Sequence, residues 1–320
     1  MKRIVVIGGG ESAEHAVSLA GADGLAAALE QAGFAVERLT ISADGCWMHD
    51  GVPLAPTPAL SLQLAVGVLA GADAVLPVVH GRGGEDGALA ALCALAHVPV
   101  VGSGVAAGAI GMDKWATKLV AEAIGIRTAP AQLVDASDIG DIEFEQEVVV
   151  KPVSAGSSHG VTLVRQADQL QAALHEAAHH DRRILIEQVV RGREIDVAVL
   201  RDSGGVRWAT PPLEIHANGL FDTASKYDGT ARFEVPAELS RRDRTALTGA
   251  ALRMFDALGC AGVARIDFFL TAEGPVLNEV NTTPGMTAQS QVPLMFAAAG
   301  VSYPELVRRM VASALEGVPR

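Results

Sequence analysis

Residues 263–286, VARIDFFLTAEGPVLNEVNTTPGM, constrain the fold of this chain more than any other stretch. Two apolar runs flank a short turn, a pattern that an antiparallel β-hairpin satisfies economically. Side chains alternate between the two faces of a strand. With TAEG or its neighbours as the turn, Asp267 falls opposite Glu279, and Arg265 and Asn281 join them on the same face. Ile266, Phe268 and Val280 line the other face. Two carboxylates side by side repel, and burying them is costly unless a positive group stands between them. Hard oxygen ligands suit Mg²⁺, which binds through one or two carboxylates together with substrate phosphates. A solvated surface hairpin is the competing reading. The dense apolar flanks and the trailing NTTPGM turn favour the metal site.

The totals narrow the class of protein. A chain of 320 residues has room for two or three domains. Apolar residues make up 49% of it and no Ser/Pro/Gly-rich tract interrupts it, so it buries a sizeable core. The formal charge of −12 disfavours nucleic acid, which demands a basic face, but leaves room for a nucleotide, which needs only a few local cations. Cys46, Cys93 and Cys260 are widely spaced and form no CxxC pattern, which suits a reducing cytoplasm. MKRIVVIGGG is too brief for a signal peptide, and no segment reaches the ~20 apolar residues of a membrane span. The expectation is a cytoplasmic protein without nucleic-acid or membrane partners.

Along the chain, RIVVI (3–7) is a short β-rich run ending in GGG, followed by a helical pattern over 14–32 and a strand near 35–41. DAVLPVV (73–79) is a second buried strand, 88–96 an Ala/Leu helix, and VPVVG (98–102) a third parallel strand. Residues 1–102 therefore read as a doubly wound α/β domain. A helix over 113–125 follows, with Asp113 at its N-cap and Gly125 as its stop. VVVKP (148–152), a helix over 166–181 and ILIEQVV (184–190) make a second, α+β unit over 103–187. EIDVAVL, VRWATPPLEI and the hairpin supply antiparallel strands for a third over 188–320, with 218–234 as a polar surface loop.

A metal with open positions calls for a phosphate. After the strand that ends at Lys151, the loop carries Gly156, Ser157, Ser158 and Gly160, small residues whose backbone N–H groups can approach phosphate oxygens. The lysine precedes the glycines, so this is not the P-loop signature, and a plain flexible turn remains open. Lys114, at a helix start, is a second candidate cation or a surface residue. Glu187 closes an apolar strand, where it can accept from an adenine amino group or ribose hydroxyls, or sit on a solvated edge; Glu194 follows nearby.

Two further Gly-rich loops lie between a strand and a helix. GGGESAEHAVSL (8–19) formally meets GxGxxA through Gly8, Gly10 and Ala13, but the acid expected at the end of the second strand is poorly met by Glu37, which lies mid-strand. Glu14 and His15 fall in the first helical turn, where a carboxylate complements the helix dipole or binds a substrate ammonium. HGRGGEDG places His80 and Glu85 at the C-terminal edge of the parallel sheet, where ligands bind in such folds.

GGGESAEHAVSL, HGRGGEDGALAAL, VGSGVAAGAIGMDK, VVVKPVSAGSSHGV, EQVVRGREIDVAVL, KYDGTARFEVPA and RIDFFL…LNEVNTTPGMT resemble the D-alanine–D-alanine ligases of the ATP-grasp superfamily. They occur in the family's order and cover nearly the whole chain. The resemblance implies an ATP-grasp fold of three domains with ATP between the second and third. It implies that ATP phosphorylates one D-alanine and the amine of another attacks the acyl phosphate, giving a peptidoglycan precursor. It also implies that Asp267, Glu279 and Asn281 hold two Mg²⁺, or Mn²⁺ in their place, and that Lys114, Lys151, Ser158, Glu187, Glu194 and Lys226 serve ATP. Glu14 takes the first substrate's ammonium, with His80 nearby. Arg265 and the Gly285 N–H stabilise the oxyanion, Ser157 and Tyr227 join Glu14 in a closing network, and Ser290 receives the second substrate's carboxylate. A homodimer is a further implication.

Two positions depart from the family pattern: Gln291 stands where an apolar residue, commonly Leu, is usual, and His159 stands in GSSHG where an apolar residue is common. An amide at 291 favours a polar second D-amino acid or points away from it. Joining D-alanine to such a polar partner is therefore the alternative within the class. An NAD(P)-binding oxidoreductase using GGGESA is the alternative from another class, and a catalytically silent nucleotide-binding module is a third.

Overall fold

The computed structural model describes residues 1–216 and 232–316. Three sheets organise the chain. The first has the order β4-β3-β2-β1-β5. Strands β1 (Arg3–Gly9), β2 (Ala35–Ile41) and β5 (Ala74–Pro77) run parallel, while β3 (Trp47–His49) and β4 (Val52–Pro53) add an antiparallel edge. Alternation along β1 serves two cores. Ile4 and Val6 pack with Leu25 and Leu29 of α1 (His15–Gln31), while Val5 and Ile7 pack with Leu69 of α2 (Pro58–Leu69) and Leu89 of α3 (Ala88–Leu95). Helices on both faces make this the doubly wound arrangement that the sequence implies. The strand expected over 98–102 contracts to a single parallel bridge between Val75 and Val100. Pro99 has no N–H to extend a ladder, so only its carbonyl and the Val101 N–H bond to Val75.

The second sheet, β6-β9-β7-β8, is antiparallel throughout: β6 is Ala131–Asp135, β7 Val148–Pro152, β8 Thr162–Val164 and β9 Arg183–Gln188. Val150, Val164, Ile184 and Ile186 pack with Leu170 and Leu174 of α6 (Ala167–His180). The alternate residues Val149, Lys151, Leu163 and Glu187 face a cavity instead. Helices α4 (Val105–Met112) and α5 (Lys114–Ala123) lead into this unit, separated by Asp113. Asp113 accepts from the Ala116 N–H at 2.9 Å, the N-cap expected from sequence, and also pairs with Arg183 at 2.7 Å.

The third sheet is six-stranded, β13-β12-β10-β14-β15, with β11 also on β10. Its strands are β10 (Arg193–Arg201), β11 (Arg207–Ala209), β12 (Leu213–His216), β13 (Arg232–Glu234), β14 (Val263–Thr271) and β15 (Gly274–Asn281). One face, including Ile195, Val197, Ile266 and Phe268, packs on Met254 and Phe255 of α7 (Arg241–Ala257). On the other face, Ala198, Leu200 and Val263 share a core with Met295 and Phe296 of α8 (Gln291–Ala298), with Met310 of α9 (Tyr303–Glu316), and with Leu25 and Leu29 of α1. That shared core fastens the first unit to the third. Beyond it, the same face turns polar.

Candidate active site

The polar half of that face is a row of carboxylates. Asp196 on β10, Asp267 on β14 and Glu279 on β15 are consecutive register partners, with Arg265 opposite Asn281 one step along. The register depends on an irregularity between Asp267 and Phe268. Phe268 pairs with Leu277 and Asp267 with Glu279, which leaves Asn278 as the extra residue of a bulge. The bulge lets Leu277 and Val280 both face the core while Glu279 and Asn281 face the site.

Arg265 is the cation of this row. Its Nε and Nη2 donate to Asp267 Oδ1 and Oδ2, each at 2.7 Å, and its Nη1 donates to Gln291 Oε1 at 2.8 Å. The Gln291 amide then donates to Asp196 Oδ2 at 2.7 Å, and Asn281 Nδ2 donates to Asp267 Oδ2 at 2.9 Å. Burial alone would lower the Arg265 pKa, but Asp267 and then Asp196 outweigh it and hold the guanidinium charged. Burial, reinforced by the Asp267 charge, pushes the Asp196 carboxyl well above its ordinary range. Asp267, Glu279 and Asn281 present an oxygen-rich, acidic set on one face, which fits a hard divalent cation.

A second buried charge cluster lies on the central sheet. Glu187, 7% exposed, accepts from Lys118 Nζ at 2.9 Å and Lys151 Nζ at 2.8 Å. Burial raises the Glu187 pKa, yet the two lysines together overcome it and hold the carboxyl below its usual value. Lys118 itself is lowered, since its burial outweighs the Glu187 charge. Lys114 donates to the Ala155 carbonyl at 2.7 Å and lies 3.9 Å from Glu279 Oε2, so it ties the loop after β7 to the carboxylate row.

The loop after β7 crosses to the first unit. Ser157 and Ser158 are both left-handed, with φ of 46° and 59°, a costly backbone for side chains with a Cβ and one that concentrates at functional sites. The Ser157 hydroxyl donates to Glu14, which stands at the N-cap of α1 rather than inside its first turn. A Cβ at Gly156 would lie 2.5 Å from Glu14 Oε2, so a side chain there would displace the Glu14 carboxylate from its place beside the loop. His80 is buried at the end of the parallel sheet, and its Nδ1 donates to the Thr283 carbonyl at 3.1 Å, tying the first unit to the turn after β15. Burial holds this imidazole below its ordinary pKa and thus neutral near pH 7.

Two cavities result. One, of about 450 Å³, is walled by Lys151, Ser158, Glu187, Glu194 and Asp267. The other, of about 610 Å³, is walled by Glu14, His80, Ser157, Asn281, Gly285 and Ser290. Lys114, Arg265, Glu279 and Gln291 belong to both walls, so the cavities meet at the carboxylate row. Ser290 is the N-cap residue of α8, at the end of the helix that favours negative charge.

The family described as D-ala D-ala ligase C-terminus matches residues 136–312. The D-alanine–D-alanine ligases of Mycolicibacterium vanbaalenii and Mycobacterium avium are each 38% identical to this chain over 98% of its length, and the match spans 97% and 96% of theirs. The chain belongs to the D-alanine–D-alanine ligase family. Among solved structures, the VanG D-Ala:D-Ser ligase from Enterococcus faecalis is 28% identical with a TM-score of 0.82, covering 98% of this chain and 99% of its own. The D-alanine–D-alanine ligase from Coxiella burnetii is 29% identical with a TM-score of 0.81, covering 98% and 94%. The architecture is thus the ATP-grasp fold of this ligase family, whose members are ATP-dependent and form carbon–nitrogen bonds.

Every residue that the resemblance assigns lies in one of the two cavity walls, except Lys226 and Tyr227, which fall outside the described residues. Sequence reading misses two participants. Asp196 follows Glu194 by two on the same strand, so alternation already puts both on one face. Lys118 lies one helical turn beyond Lys114. The oxidoreductase reading finds no support: Glu37 is engaged by Arg3 at 3.0 Å and His49 at 3.2 Å in the middle of β2, away from the glycine loop. Among the described residues, no helix is long and apolar enough to cross a membrane.

Proposed function

We propose that this enzyme joins two D-alanine molecules to D-alanyl-D-alanine, with ATP converted to ADP and phosphate. The observation that carries the reading is the meeting of the two cavities at Lys114, Arg265 and Glu279. A phosphoryl group bound on one side is within reach of a carboxylate bound on the other. The same reading divides the chain into an N-terminal domain over 1–102 and two ATP-grasp subdomains over 103–187 and 188–320.

Lys114, Lys151, Lys226 and the Ser158 backbone hold the phosphates of ATP, while Glu187 and Glu194 serve its adenosine. Asp267, Glu279 and Asn281 would hold two Mg²⁺, or Mn²⁺, which when bound neutralise charge on the transferring phosphoryl group. Glu14 takes the ammonium of the first D-alanine, and the neutral His80 lies beside it. A carboxylate oxygen of that D-alanine attacks the terminal phosphorus as the bond to ADP breaks. The amine of the second D-alanine, whose carboxylate rests on Ser290 at the N-terminus of α8, then attacks the acyl carbon. The carbon–nitrogen bond forms, the bond to phosphate breaks and the nitrogen releases a proton. Arg265 and the Gly285 N–H receive the oxyanion, a contribution commonly worth about a hundredfold or more in rate. Ser157, Glu14 and Tyr227 close the site against water, which would hydrolyse the acyl phosphate.

The dipeptide serves peptidoglycan precursor synthesis in the cytoplasm, and the active form is a homodimer. Phosphate release from ATP with a panel of D-amino acids, alone and in pairs, with products weighed by mass spectrometry, tests the proposal. D-alanine alone is expected to support turnover and give the dipeptide. Absence of either result overturns the reading.

A further inference from the structure

Asp196 has no part in the reaction as proposed above, yet it is 2% exposed and lies beneath the meeting point of the two cavities. Its contact on α8 is Gln291, the residue that departs from the family pattern. The amide of Gln291 has one orientation that satisfies both neighbours. A guanidinium only donates, so the amide oxygen must face Arg265 and the NH₂ must face Asp196. This holds whatever the protonation of Asp196.

The consequence falls on Arg265. Nε and one Nη2 hydrogen of its fork are spent on Asp267, a bond that fixes one edge of the guanidinium. The opposite corner, Nη1, is held by Gln291 Oε1. Gln291 is the first residue of a short helix, and its side chain is anchored at the far end by Asp196. Without Asp196 the amide swings free and Nη1 loses its fixed partner, Nε loses the carboxylate 3.4 Å away, and the fork pivots about Asp267. We infer that Asp196 is a positioning residue for the ligation: through the Gln291 amide, and through its own ion pair with Arg265 Nε at 3.4 Å, it fixes the guanidinium where the oxyanion develops. With its oxygen committed to Arg265 and its NH₂ to Asp196, Gln291 turns its polar end into the sheet. The side chain of the second D-alanine then meets the methylene stem of Gln291, and an apolar substituent is accommodated although the residue is polar. This inference rests on the proposed ligase reaction.

The experiment is steady-state phosphate release, with D-alanine or D-serine varied at saturating ATP and with ATP varied at saturating D-alanine, for Asp196→Ala, Asp196→Asn, Gln291→Leu and the double variant Asp196→Ala/Gln291→Leu. A misplaced catalytic group can cost on the order of a hundredfold in rate. Asp196→Ala is expected to lower kcat by roughly tenfold or more with the KM for ATP within about twofold, since transition-state stabilisation is lost and nucleotide binding is not. Asp196→Asn keeps an oxygen facing Gln291 and loses less. The double variant loses no more than the worse single one, because both act through one network. The kcat/KM ratio of D-alanine over D-serine as second substrate stays within about twofold in Gln291→Leu. The inference is overturned by an undiminished kcat in folded Asp196→Ala, by losses that multiply in the double variant, or by a tenfold change in that ratio. If Asp196→Ala does not fold, Asp196→Asn and Gln291→Leu form the cycle, and multiplying losses overturn it equally. A wild-type enzyme silent toward D-alanine refutes the reaction itself, before any variant is compared.

Discussion

Glu14 accepts a hydrogen bond from the hydroxyl of Ser157, 143 residues further along the chain. The bond joins the N-cap of α1 to the loop that leaves β7, both in the wall of the larger cavity. A hydrogen bond to a charged group is worth about 1.5–3 kcal/mol, or roughly ten- to a hundredfold in an equilibrium. Ser157→Ala should lower kcat/KM for D-alanine by an amount in that range, with a fall of a few degrees at most in the melting temperature. Gly156→Ala should do at least as much damage, because its Cβ would collide with Glu14. Both effects are read in the phosphate-release assay, and a normal kcat/KM in Ser157→Ala would show that the contact does not matter to turnover.

Glu279→Gln should abolish turnover and leave the fold intact. The substitution keeps the shape of the side chain, its place opposite Asp267 and its backbone ladder on β14. It removes one of the carboxylates on which the proposed metal depends and the negative partner 3.9 Å from Lys114. The rate should fall at least about a thousandfold, as when a charge-stabilising group is lost from a reacting centre. Circular dichroism checks the fold, and calorimetry of ADP with and without magnesium checks the metal. A variant that still binds ADP in a magnesium-dependent way and turns over near normally refutes the metal assignment.

The face of the late hairpin was legible in sequence because strand alternation is a rigid rule, and Asp267, Glu279, Arg265 and Asn281 do share it. The pairing of Asp267 with Glu279 was less secure than it looked. An uninterrupted ladder from the turn at Ala272 and Glu273 would set Asp267 opposite Asn278, and only the bulge restores Glu279. No local residue pattern announces that bulge. Other omissions were readable. Asp50 and Gly51, both with positive φ, are a hairpin-turn pair between β3 and β4, and Thr57 followed by Pro58 is a helix start that opens α2. The Glu14–Ser157 contact belongs to a third kind. It joins separate units through tertiary packing, and nothing within either segment points to the other.

Lys118 makes a prediction about acid stability. Glu187 is held below its ordinary pKa by Lys151 and Lys118 against the opposing effect of burial. A lowered carboxylate contributes stability above its unfolded pKa near 4.5, and that stability is lost as pH falls through the folded value. Lys118→Met leaves the buried carboxylate with one lysine instead of two. It should destabilise the protein at pH 7 by about 3 kcal/mol, the scale for breaking a buried pair. Acid unfolding should also begin at a higher pH, because the Glu187 pKa rises toward its unfolded value. Urea denaturation between pH 3 and pH 7 measures both. Equal stabilities at pH 7 would show that Lys151 alone satisfies Glu187.

Glu85 makes the opposite prediction. Burial, and then the Glu14 charge, push its carboxyl up to about 7, although part of its surface opens on the cavity. A raised folded pKa means that the native state keeps a proton that the unfolded chain has already released. Stability is therefore fully present below the unfolded value near 4.5 and is lost as pH rises through about 7. The loss should be on the order of 2 kcal/mol, less than the full shift implies, because the cavity side is partly hydrated. Glu85→Gln removes the titration, so its stability should stay level across this window while that of the wild type declines. The two curves, from urea midpoints at a series of pH values, should draw apart in favour of the variant between about pH 4.5 and pH 7 and hold that gap above it. Curves that stay parallel between about pH 4.5 and pH 7 would place the Glu85 carboxyl in an ordinary aqueous environment.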